Sequence, residues 1–217
     1  MDLKISASVL NSDMSQLGNE VRRVELAGVH MLHLDVMDGV FVKSITFGDY
    51  IQSSLRPHTN LIFDTHLMVN EPTRLIPLFV KAGSDIITIH IESECLPLDT
   101  LRLIRSFGIK AGLCIKPNTP AQAVFPFLKE ADMILIMTVE PGMGGQEFMT
   151  DMLPKIRAIR QEIVRQGLNT DIEVDGGINQ KTAQLAQQAG ANILVAGSYL
   201  FNEGDMGKAV RQLTVDN

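Results

Sequence analysis

Short runs of apolar and β-branched residues recur along the whole chain and alternate with longer amphipathic segments. Most of the short runs are apolar on both faces, which is typical of parallel strands that are covered on each side. The segments between them carry apolar residues at helical spacing, as at Ile156, Ile159 and Ile163. The pattern predicts eight strands, at residues 4–10, 31–37, 61–69, 85–92, 110–115, 133–139, 171–174 and 192–196.

Glycines mark the ends of several of the intervening helices. Gly28, Gly83 and Gly190 each follow an alanine just before a predicted strand, and glycine after the last turn is a common helix stop. Eight strand–helix units predict an α/β fold, a (β/α)8 TIM barrel. The alternative, an open doubly wound sheet, would want a GxGxxG turn after the first strand, where the chain has SASVLNSD instead.

The chain is expected to form one barrel domain over residues 1–217, because no linker or low-complexity stretch divides it. The longest gap lies between the sixth and seventh predicted strands. It contains the sequence EPGMGGQEF, which is typical of a functional loop.

Composition narrows the classes of function. A formal net charge of −6 argues against a nucleic-acid partner, which would normally meet a basic face. No apolar run approaches the ~20 residues of a membrane span, so no membrane partner is expected. Two cysteines, Cys95 and Cys114, are too few for a disulfide framework. We therefore expect a cytoplasmic protein in a reducing compartment.

Two histidines and two aspartates lie at the ends of separate predicted strands. His33 and Asp35 share one face of the second strand, His66 is in the third, and Asp175 follows the seventh. Active sites of such barrels form at the carboxyl ends of the strands, so we expect these four side chains to meet. Two imidazoles and two carboxylates are a plausible ligand set for one divalent metal, and the pattern suggests metal-assisted proton transfer.

Glycines form a second cluster in the loops after strands six, seven and eight. Backbone N–H groups can approach an anion closely where no side chain intervenes, and the loops after strands seven and eight commonly bind phosphate in this fold. The sequence therefore predicts a phosphorylated ligand beside Gly142, Gly144, Gly145, Gly176, Gly177, Gly197 and Ser198.

Several further side chains have two interpretations each. Met37, Met68 and Met137 are either core filler or a dry lining of the site. His90 is either structural or a support for a ligand. Asp64 and Glu173 would lie one layer deeper in the barrel, where buried carboxylates need partners, and are expected to orient the ligands.

These motifs resemble those of the ribulose-phosphate 3-epimerases and their pentulose- and hexulose-phosphate relatives. The resemblance covers nearly the whole chain, in the family's order and approximate spacing, through the segments ISASVLNSD, LHLDVMDG, ITFG, THLMV, MTVEPGMGGQ, IEVDGG and VAGS. It differs at Ala7, where the family usually has proline, at Lys43-Ser44, where it usually has Pro-Asn, and at Pro117-Asn118-Thr119, where PGT is frequent. The change at Lys43-Ser44 bears on substrate preference, because that loop would lie over the substrate.

The resemblance implies one divalent cation, Zn²⁺, Fe²⁺, Mn²⁺ or Co²⁺, held by His33, Asp35, His66 and Asp175. It implies that Asp35 and Asp175 are the acid–base pair, and that Ser8 and His66 contact the substrate. It further implies that the glycine loops and Ser198 hold a phosphate, that the three methionines line the site, and that the chain forms a homo-oligomer.

The expected reaction interconverts D-ribulose 5-phosphate and D-xylulose 5-phosphate by proton transfer at C3 through an enediolate, stabilised by the cation as a Lewis acid. Three alternatives remain. The same chemistry on another ketose phosphate, such as allulose 6-phosphate or a tetrulose phosphate, is the nearest, because loops rather than the catalytic core measure chain length. A metal-independent decarboxylase would favour a catalytic lysine among carboxylates. A non-catalytic sugar-phosphate-binding barrel would bind ligand without proton exchange.

Overall fold

Eight parallel strands close into a barrel in the computed structural model, which describes residues 2–214. Each strand pairs with its neighbour in chain order, and β1 pairs with β8 to complete the closure. The strands are β1 Lys4–Ser8, β2 Met31–Met37, β3 Ile62–Met68, β4 Ile86–His90, β5 Lys110–Ile115, β6 Met133–Met137, β7 Asp171–Asp175 and β8 Ile193–Ala196. The predicted (β/α)8 barrel is confirmed.

Eight α-helices surround the barrel within the described residues. They are α1 Leu17–Leu26, α2 Asp49–Leu55, α3 Ile76–Lys81, α4 Pro97–Ser106, α5 Leu153–Arg165, α6 Gln180–Ala189, α7 Ser198–Phe201 and α8 Met206–Thr214. Ile156, Ile159 and Ile163 of α5 are fully buried, as their spacing predicts. Gly83 and Gly190 follow α3 and α6 at φ +90° and +115°, left-handed conformations that glycine adopts at little cost.

One connection departs from the regular strand–helix alternation. Between β5 and β6 the chain forms a 3₁₀ helix at Ala121–Phe127 instead of an α-helix. Pro126 lies inside this segment, and proline in a helix interior lacks an N–H donor and clashes with the preceding turn. The local sequence therefore overrides the repeat at this point.

Five strands are shorter than their apolar runs predict, and three of them end two residues early. β1 ends at Ser8, β4 at His90 and β6 at Met137, and after β1 the chain turns at once into a 3₁₀ helix at Val9–Asn11. The apolar residues beyond these ends are buried by loops rather than by the sheet; Val9 and Val139 are examples. Several of the predicted chemical residues consequently stand at the rim of the barrel. No helix within residues 2–214 has the length and apolar character needed to cross a membrane.

Candidate metal centre and active site

The strand register brings the two histidines and two aspartates together. Asp35 is paired in register with His66 on β3, and Met137 with Asp175 on β7. One ligand atom from each of His33, Asp35, His66 and Asp175 lies within 4.8 Å of the other three. Asp35 Oδ1 is 3.2 Å from His33 Nε2 and 3.1 Å from His66 Nδ1, and Asp175 Oδ2 is 3.9 Å from His33 Nε2.

This cluster fits a divalent cation. His33 Nε2 is buried and faces the two aspartates, but it has no hydrogen-bond partner among the described residues, as expected of an atom placed to bind a cation. Two nitrogen and two carboxylate donors suit Zn²⁺, Fe²⁺, Mn²⁺ or Co²⁺ better than Mg²⁺ or Ca²⁺, which prefer all-oxygen sites.

The orientation of His33 is set from below by Asp64. His33 Nδ1 lies 2.5 Å from Asp64 Oδ2, and both side chains are fully buried. A carboxylate accepts, so Nδ1 must donate, and this leaves Nε2 directed into the cluster. Although burial alone would lower the pKa of His33, the adjacent Asp64 and Asp35 raise it well above its usual range. The site therefore attracts positive charge.

A hydrogen-bond chain fixes His66 in the same way. Glu92 Oε2 lies 3.1 Å from His90 Nδ1, and His90 Nε2 lies 2.9 Å from His66 Nε2. Because Glu92 can only accept, His90 donates from Nδ1 and accepts at Nε2, so His66 donates from Nε2. The lone pair of His66 is then on Nδ1, which faces Asp35.

Burial keeps His90 neutral in this chain. Its pKa falls to about 4, because burial outweighs the opposing effect of Glu92. Glu92 is itself held by the backbone N–H of Lys116 at 2.9 Å and by the hydroxyl of Thr119. Of the two interpretations of His90, the structure supports the one in which it orients a ligand.

The second deep carboxylate, Glu173, behaves differently from Asp64. Both of its side-chain oxygens are buried and lack a hydrogen-bond partner among residues 2–214, and its nearest approach to His33 Nδ1 is 3.9 Å. Burial and the charge of Asp64 raise the pKa of Glu173 well above its usual range. Asp64 thus contacts His33 as its expected orienting role requires, whereas Glu173 makes no hydrogen bond to His33.

The two aspartates of the cluster have opposite electrostatic environments. Burial would raise the pKa of Asp35, but the adjacent imidazoles of His33 and His66 lower it below its usual range. Asp35 also accepts a hydrogen bond from Ser8 Oγ at 2.9 Å. Burial and the proximity of Asp35 instead raise the pKa of Asp175 to about 6.

A cavity of about 510 Å³, open solvent included, extends from the cluster to the glycine loops. All but one of the predicted substrate-contacting residues line it, namely Ser8, Met37, Met68, Met137, Gly142, Gly144, Gly145, Asp175, Gly176, Gly177, Gly197 and Ser198. The exception, His66, is fully buried behind the wall. The three methionines are buried to 4% exposure or less, so they are lining and core filler at once.

Asn11 is a cavity residue that the sequence reasoning missed. It is the last residue of the 3₁₀ helix after β1, and its side chain fills the space beside Gly144 and Gly197, where an added Cβ would come within 2.8 and 2.3 Å of it. A lone asparagine carries no distinctive sequence signal. Only the closure of the barrel reveals that the first, sixth and eighth loops meet here.

Comparisons with known proteins agree on the family. The ribulose-phosphate 3 epimerase family model matches residues 4–201. The chain is 45% identical to the ribulose-phosphate 3-epimerase of Bacillus subtilis (strain 168) over 213 residues, covering 97% of this chain and 98% of that protein. It is 44% identical to that of Synechocystis sp. (strain ATCC 27184 / PCC 6803 / Kazusa) over 211 residues, covering 96% and 92%.

Solved structures at lower identity bear on the fold alone. A 3-hexulose-6-phosphate synthase from Salmonella typhimurium superposes with a TM-score of 0.72 at 16% identity, covering 98% of this chain and 97% of that one. A 3-keto-L-gulonate-6-phosphate decarboxylase from Vibrio cholerae O1 biovar El Tor str. N16961 gives 0.72 at 14%, covering 99% and 98%. The barrel is thus common to several activities, and it is the sequence relationship that assigns the chain to the ribulose-phosphate 3-epimerase family.

Proposed function

We propose that this chain is a metal-dependent epimerase that interconverts D-ribulose 5-phosphate and D-xylulose 5-phosphate. The relatives at 44–45% identity carry the name ribulose-phosphate 3-epimerase and align along almost their entire length. The observation that carries the proposal is the placement of Asp35 and Asp175. They come from β2 and β7, converge on His33 Nε2, and both line the cavity.

The two aspartates exchange protons at the substrate's C3. One carboxylate removes the C3 proton from one face of the sugar carbon, and the other carboxyl group returns a proton to the opposite face. Exchange of the two roles runs the reaction backwards. Ser8 donates to Asp35 Oδ2 and holds one oxygen of that carboxylate in place.

A divalent cation held by His33, Asp35, His66 and Asp175 would supply positive charge against the negative charge that develops when C3 is deprotonated. Asp64 and His90 keep the two imidazoles turned toward it. A general base alone is typically worth ~10²–10⁴-fold, which is too little for a weak carbon acid.

The remaining cavity residues bind and enclose the sugar phosphate. Met37, Met68 and Met137 form a dry wall beside the reacting carbon, which strengthens the electrostatic interactions there. The loops after β6, β7 and β8 offer backbone N–H groups to the phosphate at Gly142, Gly144, Gly145, Gly176, Gly177, Gly197 and Ser198. The family resemblance also leads us to expect a homo-oligomer, which light scattering would test.

The test is a time course by NMR in D₂O with ribulose 5-phosphate, with and without chelator and added metal. Deuterium entering C3 as xylulose 5-phosphate appears, only with metal, is the expected result. Deuterium exchange on a four- or six-carbon ketose phosphate alone would mean that the protein is an epimerase acting on that sugar instead. Tight binding with no exchange on any sugar would overturn the epimerase and leave a binding protein.

A further inference from the structure

The loop that follows β6, here called the flap (residues 139–148), forms one wall of the cavity. Residues 139–146 all line the cavity, and Met143 at its tip is 68% exposed. Gln146 holds the flap to itself, because its side-chain amide donates to the carbonyl oxygens of Glu140 and Met143, each at 2.7 Å. The flap is therefore a compact loop held together by its own hydrogen bonds.

Only one hydrogen bond reaches the flap from elsewhere in the described part of the chain. Ser44 Oγ donates to the carbonyl oxygen of Gly142 at 2.7 Å, across 98 residues of sequence. The other contacts from outside are van der Waals contacts. Val42 packs on Gly142 so closely that an added Cβ would meet it at 3.0 Å, and Asn11 does the same at Gly144.

The loop that carries Ser44 is held firmly in place. Asp38 accepts hydrogen bonds from the backbone N–H groups of Val40, Phe41 and Asn70 at 2.7–2.8 Å. The N–H of Gly39 donates to the carbonyl oxygen of Ser44 at 3.0 Å. Asp38 and Ile45 also form an isolated antiparallel β-bridge. Ser44 is thus a fixed point, and the flap is the element attached to it.

We propose that Ser44 is a positioning residue that latches the flap over the substrate and so sets how tightly the sugar phosphate is retained. This rests on the proposed function. Ser44 touches neither the acid–base pair nor the cation ligands, and it is not among the residues that line the cavity. It acts through Gly142 alone, so its loss weakens retention without touching the proton-transfer groups. It also occupies one of the positions where the chain differs from the family resemblance.

The test compares Ser44→Ala, Ser44→Thr and Ser53→Ala in the metal-loaded protein. Ser53→Ala is the matched control, because among residues 2–214 that exposed hydroxyl bonds only within α2, to the carbonyl of Tyr50. Net hydrogen-bond contributions predict a change of about 2- to 10-fold. Ser44→Ala should speed amide exchange in the flap by that factor without substrate, and raise KM for ribulose 5-phosphate similarly. The metal content and the rate of C3 proton exchange at saturation should stay unchanged.

Recovery in Ser44→Thr, which keeps the hydroxyl, would support the latch. Equal flap exchange in Ser44→Ala and Ser53→Ala would overturn it. Faster flap exchange with an unchanged KM would overturn its role in substrate retention. A wild-type protein that turns over no ketose phosphate would instead refute the proposed function, and because amide exchange needs no substrate, the two failures are distinguishable.

Discussion

The two sides of the cavity differ in what forms them: buried side chains on one side and glycine backbone on the other. On the side of β2, β3 and β4, buried side chains hold one another: Asp64 orients His33, and Glu92 and His90 orient His66. On the side of β6, β7 and β8, glycine backbones make the wall, with left-handed φ at Gly142, Gly145, Gly176 and Gly177. The first side, together with Asp175 at the end of β7, fixes where charge and protons are held. The second accommodates an anion by shape.

Because the two sides are formed differently, substitutions on them should change different properties of the protein. Damage to the side-chain network should lower cation affinity or turnover, while damage to the glycine wall should raise KM and leave the cation in place. Each of the following changes tests one side against the other.

The largest expected effect is from Asp175→Asn, because it removes one of the two proton-transfer groups but keeps the side chain's shape. Epimerisation followed by NMR should fall by at least about 10²-fold, in line with the loss of a general acid or base. Asp171→Asn, at the other end of the same strand and paired with Lys4 at 3.9 Å, is the control and should keep near-normal turnover. Near-normal turnover in Asp175→Asn would exclude the two-base mechanism.

The next effect tests the network behind His66. His90→Gln should disturb the tautomer that points Nδ1 of His66 into the cluster, and loss of such supporting partners typically costs about 10- to 100-fold in metal affinity. Competition titration with a chelating dye measures it. His58→Gln, a surface histidine near Arg22, should bind metal like the wild type. Unchanged affinity in His90→Gln would show that the chain of hydrogen bonds has no part in holding the cation.

The glycine wall is tested by Gly177→Ala. Gly177 has φ +66°, and an added Cβ would lie 2.3 Å from the backbone nitrogen of Phe148, so the loop must shift. KM should rise by about 10-fold or more, as expected when about 1.4 kcal/mol or more of substrate binding is lost, with metal content unchanged. Gly28→Ala is the control for backbone strain alone, because Gly28 has φ +88° with open space around it. Similar KM values for the two variants would argue against a phosphate site here.

The smallest effect is a pH dependence of stability in the cation-free protein. The pKa of Asp175 is about 6 in the fold and 3.8 in its ordinary state, because burial and Asp35 disfavour its charge. Between these values the folded state binds more protons than the unfolded state. The free energy of unfolding should therefore fall as pH rises from about 4 to 6, by at most about 1.4 kcal/mol per pH unit from this group.

Urea unfolding in the presence of chelator measures this slope. Asp175→Asn removes the titrating group, so the decline over this pH range should be shallower in the variant than in the wild type. A decline of equal steepness in both proteins would mean that Asp175 is not the group responsible.

The sequence predicts which residues form both sides of the site, but not the loop contacts that hold the glycine side in place. His33, Asp35 and His66 occupy strand positions two apart or paired in register, so the strand period alone brings them together. Ser44 and Asn11 act through loops whose meeting depends on barrel closure, which no local pattern encodes. Glu173 shows the limit within a strand, since its face is predictable but its lack of a partner is not.

The mechanism in which each aspartate serves one face of C3 is tested most directly by deuterium exchange at C3. The exchange is measured in metal-loaded Asp35→Asn and Asp175→Asn, each supplied separately with ribulose 5-phosphate and xylulose 5-phosphate. If each aspartate serves one face, each variant should exchange the C3 proton of one sugar only, the opposite sugar in the two variants, with no epimer formed. The two-aspartate mechanism would be contradicted if both variants exchanged the same sugar, or if either formed the epimer at a near wild-type rate.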